Sequence, residues 1–353
     1  MKIKRQLKKA AVCTDAHWGA KANSYLHNED CLRYFDWFCE QVKNDPEIDH
    51  INFLGDWFEN RSALNVATLN YAYEGAKKLS DLGLPIYFLV GNHDLYHRHT
   101  RALYSVIPYK EFPNFNVIDS PTVIPEVGDG GALYVPYLFN DEYPLLSKYL
   151  KMKTWWGHFE FKGFIVTGYN ITMPTGPDPK DFEGPEHIFS GHFHKRQQQG
   201  HVTYIGNIFP TTFGDAGDTN RGMMTYDHED KTIKFINWKD CPKYIKTKLT
   251  DIFDETVKIY PESRVKCMVD IPISFEESTY LRQKFMDDFK LREFTMEESK
   301  EISAALTDTQ TTVNTDDIKL DSVDDLVIQM LTDIDSEHID NQLLIEQYQR
   351  IRT

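Results

Sequence analysis

Short apolar runs alternate with longer amphipathic stretches over the first 240 residues of the chain. The runs have the length and the β-branched or aromatic content of buried strands; in chain order they are 10–14, 50–54, 85–90, 116–118, 133–137, 164–167, 187–190, 202–205, 223–227 and 232–238. Apolar residues recur at helical spacing in two stretches, 28–43 and 63–82. This alternation predicts a layered α/β domain with more strand in its second half.

The pattern changes after residue 240, and four segments are expected. In chain order they are a large domain over 1–240, a small α/β capping domain over 241–294, a flexible acidic linker over 295–321 and a helical tail over 322–353. The small domain has a predicted strand over 265–273 and a helix over 275–289. The linker is rich in Thr, Asp, Ser and Glu. Ser322 is a candidate N-cap for the first tail helix.

Composition permits a sizeable core, because 41% of the residues are hydrophobic. No stretch approaches the roughly 20 apolar residues that a membrane-spanning helix needs. The basic N-terminus lacks the apolar run of a signal peptide, so we expect a cytoplasmic protein. The five cysteines form no CxxC pair and are expected to be free thiols.

The net charge of −15 argues at first against nucleic acid as a partner. Its distribution weakens that argument. Residues 251–353 carry 11 basic and 24 acidic side chains, whereas residues 1–250 carry 28 and 30. The larger part of the chain is therefore nearly neutral, and bound divalent cations would make a site there locally positive.

Five short polar motifs punctuate the large domain, most of them directly after a predicted strand. In chain order they are Asp15-x-His17, Gly55-Asp56, Gly91-Asn92-His93-Asp94, Gly157-His158 and Gly191-His192-x-His194. Ligand sites of α/β folds gather at the carboxyl ends of strands. Side chains alternate between faces along a strand, so the spacings D-x-H and H-x-H let both ligands point the same way. The preceding Gly lets the backbone approach an ion closely.

These side chains together offer carboxylate, amide and imidazole ligands, which suit Mn²⁺, Fe²⁺ or Zn²⁺ better than Mg²⁺ or Ca²⁺. Each motif alone also has a plainer interpretation. Asp15 and His17 could be ordinary loop residues, and Asp56 could be a turn residue. His158 could be an incidental member of an aromatic cluster with the two Trp residues before it. The ordered set favours a metal site.

The series D-x-H, G-D, G-N-H-D, G-H and G-H-x-H resembles that of the calcineurin-like metallophosphoesterase superfamily over about residues 10–240. The stretch 191–222 is similar to SbcD-type nucleases of DNA double-strand-break repair. The lengths of the segments are most similar to those of the nuclease subunit of T-even-like phages. The resemblance implies a four-layer β-sandwich flanked by helices, with a small capping domain and a C-terminal helical tail.

Carried over position by position, the resemblance implies two sites for divalent metal ions, with Mn²⁺ as the expected metal and Mg²⁺, Fe²⁺ or Zn²⁺ as alternatives. One set of ligands would be Asp15, His17, Asp56 and His194. The other would be Asp56, Asn92, His158 and His192, with Asp56 shared. His93 would face the scissile phosphate, and Asp94 would orient it by accepting its second ring proton.

The chemistry follows from two cations about 3.5–4 Å apart, which lower the pKa of a bridging water. The hydroxide would attack phosphorus, and His93 would assist the leaving oxygen. Lys195 and Arg196 are candidates for holding flanking phosphates, although they could also be solvated loop charges. Related nucleases often have a His three residues after the bridging Asp, where this chain has Glu59. In those nucleases the position is associated with handling the DNA end, so the mode of exonuclease action is left open.

The resemblance thus implies a DNA endo/exonuclease subunit that acts in double-strand-break processing and recombination. It would bind an SMC-like ATPase through the tail helices and would form a homodimer, with no membrane association. Alternatives are a phosphoesterase acting on a cyclic nucleotide or a phosphoprotein, and a catalytically silent scaffold of the same fold. The tail could instead fold back on its own domain.

Overall fold

The structure is a computed structural model that describes residues 5–166 and 171–298 of the 353-residue chain. The predicted tail and all but the first four residues of the predicted linker lie outside the described residues. The strands, in chain order, are β1 Lys9–Cys13, β2 His50–Phe53, β3 Ile86–Leu89, β4 Phe115–Ile118, β5 Thr122–Ile124, β6 Ala132–Val135, β7 Thr154–Gly157, β8 Ile165–Val166, β9 Ile171–Thr172, β10 His187–Ser190, β11 Gln197–Gln199, β12 Val202–Tyr204, β13 Gly222–Asp227, β14 Ile233–Asn237, β15 Tyr244–Lys248, β16 Arg264–Val269 and β17 Glu293–Glu298.

The helical elements are fewer and mostly short. The α-helices are α1 Ala20–Asn23, α2 Tyr25–Asn44, α3 Val66–Ser80, α4 Leu249–Phe253 and α5 Phe275–Phe289, and the 3₁₀ turns are Ile107–Glu111, Tyr143–Tyr149, Pro179–Phe182 and Phe213–Asp215. The side chain of Ser24 caps α2 and that of Asn65 caps α3, each by accepting a backbone N–H of the first turn.

Two six-stranded sheets form the main body. Their strand orders are β14-β13-β1-β2-β3-β4 and β11-β12-β10-β7-β6-β5. Strands β1 to β4 run parallel, as do β6, β7, β10 and β12. The remaining strands pair antiparallel with their neighbours: β13 and β14 at one side of the first sheet, and β5 and β11 at the two edges of the second. Because the central strands of each sheet run the same way, the loops after them collect at one edge.

The core is arranged in layers around these sheets. Val12 and Leu89 of the first sheet pack with Trp156 and Phe189 of the second, so the two sheets face one another. Helices α2 and α3 cover the outer face of the first sheet over a second core cluster. A third cluster, rich in aromatic rings, lies on the outer face of the second sheet beneath 3₁₀ turns. The predicted layered α/β sandwich is confirmed.

Residues 244–298 form a separate three-stranded parallel sheet in the order β15-β16-β17, with its own apolar cluster. Helix α5 spans the predicted 275–289 and begins with a capping box between Ser274 and Glu277. Strand β17 continues to Glu298, so the placement of residues 295–298 in a flexible linker was wrong. Phe294 and Met296 face the apolar cluster, which stabilises a strand that the polar composition alone does not indicate.

Candidate metal centre

The five motifs follow β1, β2, β3, β7 and β10, at the carboxyl ends of parallel strands. Strand β7 was not among the predicted strands, although Gly157 and His158 follow it as the others follow theirs. Close approach of the motif loops requires glycine at two positions. A Cβ on Gly91 would lie 2.2 Å from Asp56 Oδ1, and one on Gly191 would lie 2.2 Å from Thr14 Oγ1.

Four of the motif residues have left-handed backbone conformations that non-glycine residues rarely adopt. These are Asp15 (φ 55°), His17 (φ 49°), Asp56 (φ 57°) and His192 (φ 85°). Such strain costs of order 1–3 kcal/mol per residue and persists where the surrounding structure enforces it. Its concentration in the motif loops marks this edge as a functional site.

The first cluster consists of Asp15, His17 and His194. The Nε2 atoms of the two imidazoles lie 2.9 Å apart. Asp15 Oδ1 is 3.7 Å from His17 Nε2 and 3.9 Å from His194 Nε2. The carboxylate of Asp15 also accepts the backbone N–H of His192. These contacts bring one carboxylate and two imidazole nitrogens together, as the sequence predicts.

The second cluster consists of Asp56, Asn92, His158 and His192. Asn92 Oδ1 lies 2.9 Å from both His158 Nε2 and His192 Nδ1. His158 Nε2 is 3.3 Å from Asp56 Oδ2. His158, which could have been an incidental member of an aromatic cluster, is fully buried and contributes directly to this cluster.

The outer nitrogen of each imidazole in the second cluster has a separate partner. His158 Nδ1 donates to the carbonyl oxygen of Leu54 at 2.6 Å. His192 Nε2 faces Glu160 Oε2 at 3.1 Å. In the neutral imidazoles these contacts place the proton on the outer nitrogen and leave the lone pair of the inner nitrogen facing the cluster. In this neutral state the acceptor atoms converge without a donor between them, which fits a bound cation.

Asp56 lies between the two clusters. Its Oδ2 atom is 3.8 Å from His17 Nε2 and 3.3 Å from His158 Nε2, while Oδ1 accepts the backbone N–H of His93 at 2.8 Å. One carboxylate therefore faces both clusters, as expected for a shared ligand.

The electrostatics of the clusters favour positive charge at their centres. Burial opposes ionisation of Asp56, but the imidazoles, with His158 foremost, hold its pKa well below the usual range. Burial also opposes protonation of His158, yet Asp56 and Asp15 raise its pKa to about 9. Carboxylates that draw protons onto buried imidazoles also attract a metal cation, which would displace those protons.

His93 lies at the open side of the clusters, with about a third of its side chain exposed. Its Nδ1 atom is 2.8 Å from the backbone carbonyl oxygen of Glu59, and its ring stands edge-on to that of His17 at 4.9 Å. With Nδ1–H donating to the carbonyl, Nε2 is the nitrogen left to exchange a proton with a ligand.

The carboxylate of Glu59 contacts the first cluster from outside, because its Oε2 atom lies 2.8 Å from His17 Nδ1. It is 3.9 Å from His93 Nδ1. Burial opposes the ionised form of Glu59, but His17, His93 and His194 lower its pKa to about 2. Glu59 therefore supports His17 from outside the first cluster.

The orienting role predicted for Asp94 was wrong. Its two oxygens accept four backbone N–H groups, from Gly91 and from the consecutive residues Asp56, Trp57 and Phe58. The ring proton that Asp94 was expected to accept goes to the Glu59 carbonyl instead. Burial and the charge of Asp56 raise the pKa of Asp94 to about 7. Asp94 shapes the loop that carries Asp56.

The two cations predicted to hold phosphates differ in placement. Arg196 donates to the carbonyl of Ile205 and to Asn237 Oδ1, and its guanidinium lies 4.1 Å from the ring centroid of Phe235. This packing argues against a substrate-binding role for Arg196. Lys195 is partly exposed beside His194. The predictions missed Glu160, whose spacing of two from His158 was its local signal, and Arg61, whose Nη2 atom lies 3.1 Å from the Asn92 amide.

The profile of the family described as calcineurin-like phosphoesterase matches residues 8–196. The chain belongs to the calcineurin-like phosphoesterase family. Membership implies divalent metal ions, and the two clusters contain the groups that could hold them. Within the described residues, no helix is long and apolar enough to cross a membrane.

Among curated proteins, the chain is 30% identical over 189 residues to exonuclease subunit 1 of Enterobacteria phage T4. This match covers 52% of the chain and about half, 54%, of the relative. Among solved structures, an archaeal phosphodiesterase is similar at 12% identity and a TM-score of 0.36, covering 65% of this chain and 99% of its own. The Pseudomonas putida nuclease MPE has 16% identity and a TM-score of 0.27, covering 64% and 87%.

Proposed function

We propose that this protein is a two-cation DNA endo/exonuclease subunit that hydrolyses phosphodiester bonds. The observation that carries the proposal is the pair of acceptor clusters sharing Asp56. Bound cations would supply an activated water and neutralise charge on the phosphate. Mn²⁺ is proposed because the ligands combine carboxylate, amide and imidazole. A silent scaffold would have no need of this complete donor set.

His93 is proposed to act on the leaving oxygen. Its Nδ1 contact with the Glu59 carbonyl fixes the ring and leaves Nε2 to deliver a proton. General acid catalysis by a positioned side chain contributes about 10²- to 10⁴-fold.

DNA is proposed as the substrate for two reasons. The relative of 30% identity is an exonuclease subunit. The site is also open: a third of His93 and a quarter of His194 are exposed, which suits a polymer lying across a surface. We further propose that the capping domain contributes to DNA binding, because Lys246 and Lys248 are exposed on one face of β15.

The decisive test is Mn²⁺-dependent degradation of linear DNA by the full chain and by His93→Ala. We expect a loss of about 10²- to 10⁴-fold with both metal ions retained. His99→Ala is the matched control, because His99 is an exposed histidine outside the motifs. Undiminished cleavage by His93→Ala would refute the role of His93. No cleavage by the wild type, together with hydrolysis of small phosphodiesters, would refute DNA as the substrate.

A homodimer is proposed through α3. Val66, Leu69 and Tyr73 recur at helical spacing and are 74%, 45% and 53% exposed. Apolar groups on one helix face commonly mark an interaction surface. Light scattering of Leu69→Glu against the wild type tests this, and an unchanged mass would exclude α3 from the interface.

We also propose that residues 322–353 bind an SMC-like ATPase, since apolar residues at helical spacing suit docking on a coiled coil or in a groove. Co-purification with the cognate ATPase, with and without residues 315–353, decides the matter. Binding that is unchanged by the truncation would exclude the tail.

A further inference from the structure

A cavity of about 480 Å³ lies on the outer side of the second sheet, between the 3₁₀ turns Tyr143–Tyr149 and Pro179–Phe182. Its volume is within the range of small-molecule pockets, which is about 300–1,000 Å³. The rings of Tyr143 and Phe182 are buried in its wall with their centroids 6.3 Å apart, and Pro177 adds apolar surface. The cavity therefore offers aromatic and apolar walls to a ligand.

Two polar side chains at the cavity have no partner. Asn140 and Asp181 both line it and are exposed, and neither side chain makes a hydrogen bond or an ion pair in the part of the chain that the structure describes. Local structure holds both residues. Asn140 lies in a turn in which the Glu142 carboxylate accepts the backbone N–H of Phe139 at 2.8 Å, and Asp181 lies in a 3₁₀ turn that Asp178 caps. An amide and a carboxylate are thus available to a ligand at fixed positions.

Glu160 lies between this cavity and the second cluster. Its carboxylate faces His192 Nε2 at 3.1 Å, and its backbone N–H donates to the hydroxyl of Tyr143 at 3.1 Å. Gly176, which lines the cavity, approaches the same backbone so closely that a Cβ on it would lie 2.5 Å from the Glu160 carbonyl oxygen. One residue therefore contacts both the cavity wall and a member of the cluster, so the cavity adjoins the cluster.

The chemistry of the cavity suits a nucleobase and not a phosphate. Among the described residues that line it, none is a lysine or an arginine, and the carboxylate of Asp181 repels an anion. Aromatic and apolar walls stack on a base, and Asn and Asp side chains accept hydrogen bonds from the exocyclic amino groups of adenine and cytosine. Thymine has a carbonyl oxygen where cytosine has its amino group, and a carboxylate disfavours that oxygen.

We propose that this cavity binds a nucleobase with an exocyclic amino group, on the nucleotide next to the phosphodiester at the second cluster. The proposal rests on the proposed phosphoesterase function and adds a base preference to it. A base inside a duplex is stacked and paired, so the cavity takes its base from single-stranded or frayed DNA. Asn140 and Asp181 determine the preference through binding and take no part in bond cleavage.

Three small phosphodiesters separate base binding from the chemical step. They are the 5′-(4-nitrophenyl) phosphates of deoxycytidine and of thymidine, and methyl 4-nitrophenyl phosphate, which has no base. With the Mn²⁺-loaded full chain, we expect a lower KM for the deoxycytidine ester than for the thymidine ester. Asp181→Ala should raise the KM of the deoxycytidine ester by about 10- to 100-fold with kcat unchanged, the loss of a hydrogen bond to a charged group. The KM of the methyl ester should not change.

Asp141→Ala is the matched control, because Asp141 is exposed next to Asn140 but does not line the cavity, and it should behave as wild type. Ser147→Trp places a large ring in the cavity and should raise the KM of both nucleoside esters while leaving that of the methyl ester unchanged. Equal KM values of the wild type for the two nucleoside esters would overturn the proposal. An equal change for all three esters in Asp181→Ala would also overturn it, because the residue would then act through the metal centre.

Failure of the chain to hydrolyse any of the three esters would count against the proposed phosphoesterase function. Calorimetric titration of dCMP and of dTMP into the Mn²⁺-loaded protein then decides the cavity separately. Tighter binding of dCMP that is lost in Asp181→Ala would support the base preference, and equal affinities for the two nucleotides would overturn it.

Discussion

Histidines lie both at the carboxyl ends and at the amino ends of the parallel strands in the two sheets, but the surroundings of these histidines differ. At the carboxyl ends, His17 and His158 face Asp15 and Asp56, and these carboxylates raise the pKa of His158 to about 9 despite its burial. At the amino ends, His228 packs against aromatic rings and the ring of His50, and burial lowers its pKa to about 3.

The difference shows what distinguishes a metal site from a histidine-containing core. His50 has a carboxylate partner, since its Nδ1 atom is 2.8 Å from Asp49 Oδ1, yet burial still lowers its pKa. At the carboxyl ends, several lone pairs converge on shared points beside carboxylates. The number of convergent acceptor atoms, and not the burial of imidazole, therefore marks the cation sites.

The largest expected effect comes from Asp56→Asn, because this carboxylate faces both clusters. Removing its charge should lower metal affinity at both, by more than the roughly 10- to 100-fold typical of losing an outer partner of a ligand. Phosphodiesterase activity should fall with it. Metal content and hydrolysis are measured together.

Asp49→Asn is the matched control, since it removes a carboxylate beside a buried histidine at the amino ends. It should retain both metal ions. If the two variants lost metal equally, the distinction between the two ends would fail.

Intermediate effects are expected from the outer partners of the two clusters. Glu160→Gln removes the acceptor at His192 Nε2, and Glu59→Gln removes the carboxylate at His17 Nδ1. Each substitution should lower the metal affinity of one site by roughly 10- to 100-fold and leave the affinity of the other site unchanged. A Mn²⁺ titration followed by electron paramagnetic resonance separates the two sites. Loss of both sites in either variant would contradict the assignment.

The smallest expected effect is a pH dependence of stability at the amino ends. Because the folded-state pKa of His228 is about 3 and the ordinary value is 6.5, the unfolded chain binds the extra proton between these values. His228 therefore lowers the free energy of unfolding as pH falls below 6.5, by about 1.4 kcal/mol at pH 5.5.

His228→Phe should remove this contribution, and urea unfolding in the presence of EDTA at pH 7.5 and 5.5 measures it. The difference in stability between wild type and variant should change by that amount between the two pH values. A difference independent of pH would contradict the lowered pKa, because it would show that His228 takes up its proton in the folded protein as it does in the unfolded chain.

The sequence predicted the layered fold, and it predicted which side chains come together in the two clusters, because both depend on local patterns. Apolar runs mark strands, and each motif directly follows one. The role of a longer side chain depends on which groups it contacts in the fold, and the local sequence does not show those contacts. Arg196 packs on Phe235 although its neighbour His194 is in a cluster, and Asp94 turns to backbone amides instead of to His93. Strand β17 pairs with β16, and Phe294 and Met296, which alternate with its polar residues, were a local strand signal that the polar composition of the predicted linker concealed.

The central claim is that two cation sites share Asp56. Anomalous diffraction at the manganese edge from crystals grown with Mn²⁺ tests it most directly. The account predicts two peaks, one among Asp15, His17, Asp56 and His194 and the other among Asp56, Asn92, His158 and His192. A single peak, or two peaks without Asp56 in common, would contradict it.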